Sequence, residues 1–248
     1  MDHTQAIGIA SFFTQSDAIG KTIFAVLLVM SVATWYLIIT KTLQTRLTRR
    51  RTTRFLETFW NAPSLHAAAT DLEEHHPDEP FSHLAWHAIV AARHHQRHSA
   101  NKLNEAGSAT EFLTRSMRQV IDEETARLES GLTVLASVGS TAPFVGLFGT
   151  VWGVYHALIN IGMSGQGTLD KVAGPVGEAL IMTAAGLAVA VPAVLAYNAF
   201  VRSNRMVLAK LDSFAHDLFA FLTTGSHMND VAAVLPLTAT LAQAKGAA

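Results

Sequence analysis

Residues 130–160 read SGLTVLASVGSTAPFVGLFGTVWGVYHALIN, and residues 179–201 read ALIMTAAGLAVAVPAVLAYNAFV. No Asp, Glu, Lys or Arg occurs from Ser130 to Leu169, and none from Ala179 to Val201. A hydrocarbon core about 30 Å thick is crossed by roughly 20 apolar residues in helical form. Both segments are long enough, and both read as transmembrane helices. Glu178 stands at the threshold of the second. An ionisable side chain inside a span costs at least ~2.5–3.5 kcal/mol on insertion scales and usually faces a protein interior or an ion path. Position alone leaves two readings open: Glu178 snorkels to water at the interface, or it is held among helices and takes part in ion movement.

Half of the 248 residues are hydrophobic and 15% are charged. The contrast is regional, with residues 41–129 polar and charged between apolar flanks. This is the composition of an integral membrane protein with one soluble insert. The net charge of −1 points to no nucleic-acid partner, and the absence of cysteine excludes disulfides and thiol catalysis.

Taken in order, residues 1–21 form a short outer segment, and no cationic start with a cleavage site marks a removable signal peptide. Residues 22–40 are uncharged and form the first span, with Trp35 and Tyr36 suited to an interfacial belt. Lys41, Arg46, Arg49, Arg50, Arg51 and Arg54 follow at once, and such a cluster beside a span marks the cytoplasmic side. The amino terminus is then outside, periplasmic in a Gram-negative cell.

Residues 41–129 form a helical cytoplasmic insert. Phe55, Leu56, Phe59, Trp60 and Leu65 make an amphipathic pattern, broken by Pro77 and Pro80 in an acidic turn. Leu103, Ala106, Thr110, Leu113, Met117 and Val120 recur at helical spacing, and Leu128, Leu132 and Leu135 carry that face onward. The pattern predicts one helix entering the membrane without a break, with Gly107 and Gly131 as weak points. Residues 130–160 are the second span, 161–174 the outer loop and 175–199 the third span. Residues 200–248 return a cytoplasmic helix and tail, with Arg202, Arg205 and Lys210 again on the inside. The fold class is all-α, with three transmembrane helices and long cytoplasmic helical extensions.

Three side-chain patterns stand out. In the second span Gly139, Pro143, Gly146, Thr150 and Gly153 make one narrow face of small residues, which lets helix backbones approach closely. Thr150 is its polar member, and its hydroxyl can also bond back to its own helix at i−4. In the third span Glu178, Met182, Ala185, Val189, Pro192 and Ala196 share a face, while Thr183 lies about 140° from Glu178. In the insert, His83, His87, His94 and His98 share a helix face. Imidazoles at i, i+4 can chelate a metal, but three or four ligands must converge. The reading adopted is a solvated polar face, with no metal and no cofactor.

The stretch Ala136-Ser-Val-Gly-Ser-Thr-Ala-Pro-Phe-Val-Gly-Leu-Phe-Gly-Thr-Val-Trp-Gly153, followed by Gly177-Glu-Ala-Leu-Ile-Met-Thr-Ala-Ala-Gly-Leu-Ala-Val-Ala-Val-Pro-Ala193, resembles the ExbB/TolQ/MotA family, and its ExbB branch most. The order and separation of the two blocks match, as does the topology; the insert matches only in length and helicity. The resemblance implies a stator-type proton-channel subunit, a ring of five copies around single-span ExbD-like partners that carry an essential Asp. Through a TonB-like protein it implies energised outer-membrane uptake of siderophores and cobalamin. It places the family's acid on Glu178 and its two threonines on Thr150 and Thr183, lining a lumen around which the small face packs. The implied partners are copies of the chain itself, the ExbD-like and TonB-like proteins, and membrane lipid.

Rival readings are weaker. An intramembrane acid protease needs two interacting carboxylates, and this chain offers one. Ser140 and His156 lie about 24 Å apart by helical rise, too far for a nucleophile and its base. A metal-sensing scaffold would use the histidine face. A TolQ-like role in envelope integrity shares nearly the same motifs, while flagellar stators usually have four spans.

Overall fold

The computed structural model describes residues 17–74, 79–98, 109–164 and 169–225, without the side chains of residues 95–98, 109, 160, 164, 169–173, 175 and 178. These residues form six helices and no strand: α1 (Ala18–Trp60), α2 (Leu65–Glu74), α3 (Pro80–His98), α4 (Ala109–Glu129), α5 (Leu132–Ser164) and α6 (Leu169–Thr224). Three helical stretches, in α1, α5 and α6, are long and apolar enough to cross a membrane. The described residues divide into two units. The first takes residues up to 44 and 129–202; the second takes residues 45–128 and those from 203 on.

The first unit packs α1, α5 and α6 around Leu27, Leu135, Val138, Ala142, Ala190 and Ala193. Lipid is as apolar as these side chains, so close packing rather than expulsion from water holds such helices together. Large apolar residues point outward instead, among them Val29, Tyr36, Phe144, Phe148, Leu158 and Leu195. Such a surface suits lipid or neighbouring membrane helices and would be a liability in water.

The second unit is built as a water-soluble bundle. Its core joins the end of α1, α2, α3, α4 and the end of α6 through Phe59, Leu72, Leu84, Ile89, Met117 and Leu211. Phe214 is the centre of an aromatic cluster, with the rings of Phe59, Trp60 and Phe81 at 5.7, 5.8 and 5.7 Å. Burying one such ring contributes about 1.5–3 kcal/mol, and each well-oriented ring pair about 0.5–1.5 kcal/mol more.

Three expectations are corrected. The amphipathic pattern through Leu65 is interrupted at Asn61–Ser64, because the residue before Pro63 is disfavoured in helical geometry. Ser64 then caps α2, accepting the Ala67 amide at 3.1 Å. The break expected at Pro80 is present, for Pro80 opens α3 as its first residue, where a missing N–H costs nothing; Pro77 lies outside the described residues. Nor does the insert run unbroken into the second span. α4 stops at Glu129, and Gly131 takes a left-handed φ of 80° before α5 begins. That geometry favours glycine and ends helices. The Asn204 amide of α6 donates to the Leu128 carbonyl at 2.9 Å, satisfying one of the carbonyls freed at the break. Gly107 lies outside the described residues, as do Leu103 and Ala106. At the other end, α5 continues to Ser164 and α6 starts at Leu169, so Asp170 and Lys171 belong to its first turn.

Candidate functional site

The small residues of α5 lie against α6 of the same chain. A Cβ added to Gly146 would stand 2.6 Å from the Met182 carbonyl oxygen and 3.1 Å from the Gly186 Cα. One added to Gly186 would stand 2.7 Å from the Ala142 carbonyl oxygen. The backbones therefore cross in direct contact, glycine against glycine. Gly139 meets Val194, and Gly153 meets Ala179 at 3.1 Å from its virtual Cβ. Pro143 and Pro192, each within its helix, are half-buried. The resemblance implies a small face packed around a lumen; within one chain this face has a nearer partner, α6.

That contact brings Thr150 and Thr183 together. The Thr150 hydroxyl lies 3.0 Å from the Ala179 carbonyl and 3.2 Å from the Gly146 carbonyl, and it is hydrogen bonded to the Thr183 hydroxyl. The bond to Gly146 is the i−4 bond expected from the sequence. The other two cross to α6. A hydroxyl has one proton and two acceptor sites, so the pair clamps two helices and retains capacity to order water. Glu178 is helical and immediately precedes Ala179; its side chain lies outside the described residues. The structure thus unites two of the three polar residues singled out from the sequence and places the third's backbone beside them.

The remaining expected residues separate. Arg46, Arg49, Arg50, Arg51 and Arg54 are exposed on α1. Ser140 donates to the Ser137 carbonyl at 3.1 Å, on the same helix as His156, so no nucleophile–base pair forms between them. Among the described residues no group of three or more potential ligands is placed to hold a metal. The histidine face is not uniformly solvated. His83 is half-buried, its Nδ1 lying 2.9 Å from Glu124 Oε1, and its ring packs edge-on against His87 at 4.7 Å. His94 stacks on Phe112. The side chain of His98 lies outside the described residues.

Sequence reasoning missed a polar network in the second unit. Glu79 is buried, caps α3 by accepting the Ser82 amide at 3.0 Å, and accepts from the Thr52 hydroxyl at 2.5 Å. Burial pushes its carboxyl up from the usual glutamate value, with the nearby Glu124 adding to the rise; the hydrogen bonds from Thr52 and the backbone oppose it. Glu124 is only 2% exposed, held by His83 and by Arg127 at 3.4 Å, while its Oε2 has no hydrogen-bond partner among the described residues. Burial and the nearby His83 push His87 below the usual histidine value, against the pull of Glu123. One signal was available: Glu124 continues the apolar face of Met117 and Val120 at helical spacing.

A contact of this kind, with paired hydroxyls between a glycine-packed helix pair, invites comparison with known proteins. The family model for the MotA/TolQ/ExbB proton channel family matches residues 85–213. The chain belongs to this family. It is 47% identical over 213 residues to the biopolymer transport protein ExbB of Xanthomonas campestris, covering 85% of this chain and 84% of that protein. It is 42% identical over 206 residues to ExbB of Neisseria meningitidis, covering 83% and 93% of the two chains. The Tol-Pal system protein TolQ of Pseudomonas aeruginosa is 32% identical over 230 residues, covering 93% and 97%. This is a family of proton channels rather than enzymes. The match takes in α5, the contact between Thr150 and Thr183, and Glu178.

Proposed function

We propose that this chain is the proton-channel subunit of a TonB–ExbB–ExbD-type complex in the bacterial inner membrane. It uses the proton motive force to energise outer-membrane uptake of siderophores and cobalamin. The observation that carries this reading is the Thr150–Thr183 hydroxyl pair, with Thr150 also bonded to the carbonyl of Ala179, the residue after Glu178 on α6, in a chain 47% identical to an ExbB protein. Residues 22–40, 130–160 and 175–199 cross the membrane. Residues 1–21 and 161–174 are periplasmic, and 41–129 and 200–248 are cytoplasmic. The exposed arginines from Arg46 to Arg54 support that orientation.

Five copies form a ring around single-span ExbD-like partners, and a TonB-like protein takes up the motion. In that ring Glu178 balances charge or exchanges protons beside the path, since a carboxyl can lose and regain a proton. Thr150 and Thr183 line the path and order water, since hydroxyls hold hydrogen bonds but no net charge at neutral pH. The partner's acid is the principal carrier.

A TolQ-like role in envelope integrity is the second reading, favoured by the TolQ relative that matches 93% of this chain. Two experiments separate the possibilities. In liposomes holding this chain with its single-span partner, pH-gradient-driven proton flux should be lost on Glu178→Ala while the complex still assembles. Equal flux would take Glu178 out of the path. A deletion strain that fails on ferric siderophores supports the TonB role, whereas detergent sensitivity and envelope leakage point to the Tol-Pal role.

A further inference from the structure

We propose that His156 is a proton-relay residue at the outer mouth of the path, receiving protons through Asp17 on one ring nitrogen and releasing them inward from the other. The inference rests on the proton-conducting reading and orientation above. His156 Nε2 lies 3.2 Å from Asp17 Oδ2, and the two side chains are 38% and 52% exposed, so this side of the ring is open in the single chain. The opposite nitrogen, Nδ1, is buried and has no hydrogen-bond partner among the described residues. One side of the imidazole is open and the other is buried.

A second orphan lies beside it. Trp152, one turn back on α5, has its ring 4.8 Å from the imidazole, and its Nε1 is also buried without an acceptor among the described residues. Leaving a buried polar nitrogen unsatisfied costs about 1–3 kcal/mol. Two of them on one helical turn mark a place where the described residues leave room for a further partner, such as ordered water. A structural ion pair would need only Nε2 and would gain nothing from a buried, unpartnered Nδ1.

Among the described side chains, the titratable groups facing His156 are Asp17, just ahead of α1, and Tyr155, whose ring is 5.8 Å away; that of Glu178 lies outside them. Lys21 follows on α1 and is exposed; the side chains of Asp170 and Lys171 lie outside the described residues. Imidazole exchanges a proton near neutral pH and carries a donor or acceptor on each side of the ring. The step balances simply. The Asp17 carboxyl gives its proton to Nε2, leaving an imidazolium paired with a carboxylate. The Nδ1 proton then passes to an inward water. The neutral ring, now protonated at Nε2, resets by tautomer exchange or rotation.

The test uses the complex of this chain with its single-span partner in liposomes, with acid outside the face bearing residue 17. His156→Gln should lower flux by about a hundredfold, the lower end of what a positioned proton-transfer group contributes. It should also remove the bend in the outer-pH profile of the flux, while assembly is unchanged. His156→Gly should be slow and should regain flux when imidazole is added outside. Flux and pH profile in His156→Gln equal to wild type would overturn the relay. So would a slow His156→Gly that imidazole fails to restore, which would mark His156 as structural. Absence of flux in the wild-type complex would remove the proton-conducting reading itself, and the relay with it.

Discussion

Gly146→Ala adds one methyl where α5 and α6 touch. The new Cβ would lie 2.6 Å from the Met182 carbonyl oxygen and 3.1 Å from the Gly186 Cα. Both obstacles are backbone, so no side-chain rotation relieves them. Ordinary carbon–oxygen contact needs about 3.3 Å, and the helices must part by several tenths of an ångström. Overpacking of this kind costs about 1–3 kcal/mol. At about 2–4 °C per kcal/mol for a chain of this size, the thermal midpoint should fall by roughly 2–12 °C. The separation also stretches the Thr150–Thr183 bond one turn away. The assay is the thermal midpoint of the purified complex in detergent, read by tryptophan fluorescence, beside Gly162→Ala as control. A Cβ on Gly162 meets nothing within 4 Å, so that variant should hold its midpoint. If both variants melt with wild type, the glycine contact is not what holds this pair. Gly146→Leu should go further and break up the oligomer.

Three other outcomes are expected. Thr183→Val keeps shape but removes the hydroxyl bonded to Thr150; proton flux should fall while the oligomer stays intact, and unchanged flux would remove the hydroxyl pair from the path. Glu79 has a raised folded-state pKa, so its burial is harmless below the ordinary glutamate value of 4.5 and costs stability as pH rises through the folded value. Glu79→Gln should therefore melt higher than wild type at neutral pH, with the gap closing in acid; a gap that widens in acid would contradict the sign. His83→Ala leaves the buried Glu124 with Arg127 alone. It should lower the midpoint by the equivalent of about 1–3 kcal/mol yet leave proton flux unchanged in the assembled complex, and a flux defect there would bring the histidines into the mechanism.

The helical class, the three apolar helices and the basic cluster of α1 were legible in the sequence, because charge-free length and local charge asymmetry are properties of the chain itself. So was the closeness demanded by Gly139, Gly146 and Gly153, since small residues at helical spacing have little other use in a membrane. Their partner was not legible. Only the fold shows that Gly146 meets Gly186, and that this crossing sets Thr150 against Thr183, two residues 33 positions apart along the chain. Helix registers between distant segments depend on interlocking shapes, which a one-dimensional pattern does not encode.

Gly131 was legible as a weak point but not as the break itself, and the Glu79–Thr52 and Glu124–His83 links escaped for the same reason. Glu79 stands just ahead of its helix and Glu124 sits on an apolar helix face, but the partners that hold them come from other helices. The outer pair of Asp17 with His156 is the plainest case. Nothing in either residue's neighbourhood along the chain indicates the other, and only the packing of the chain sets one imidazole nitrogen against Asp17 and leaves the other buried.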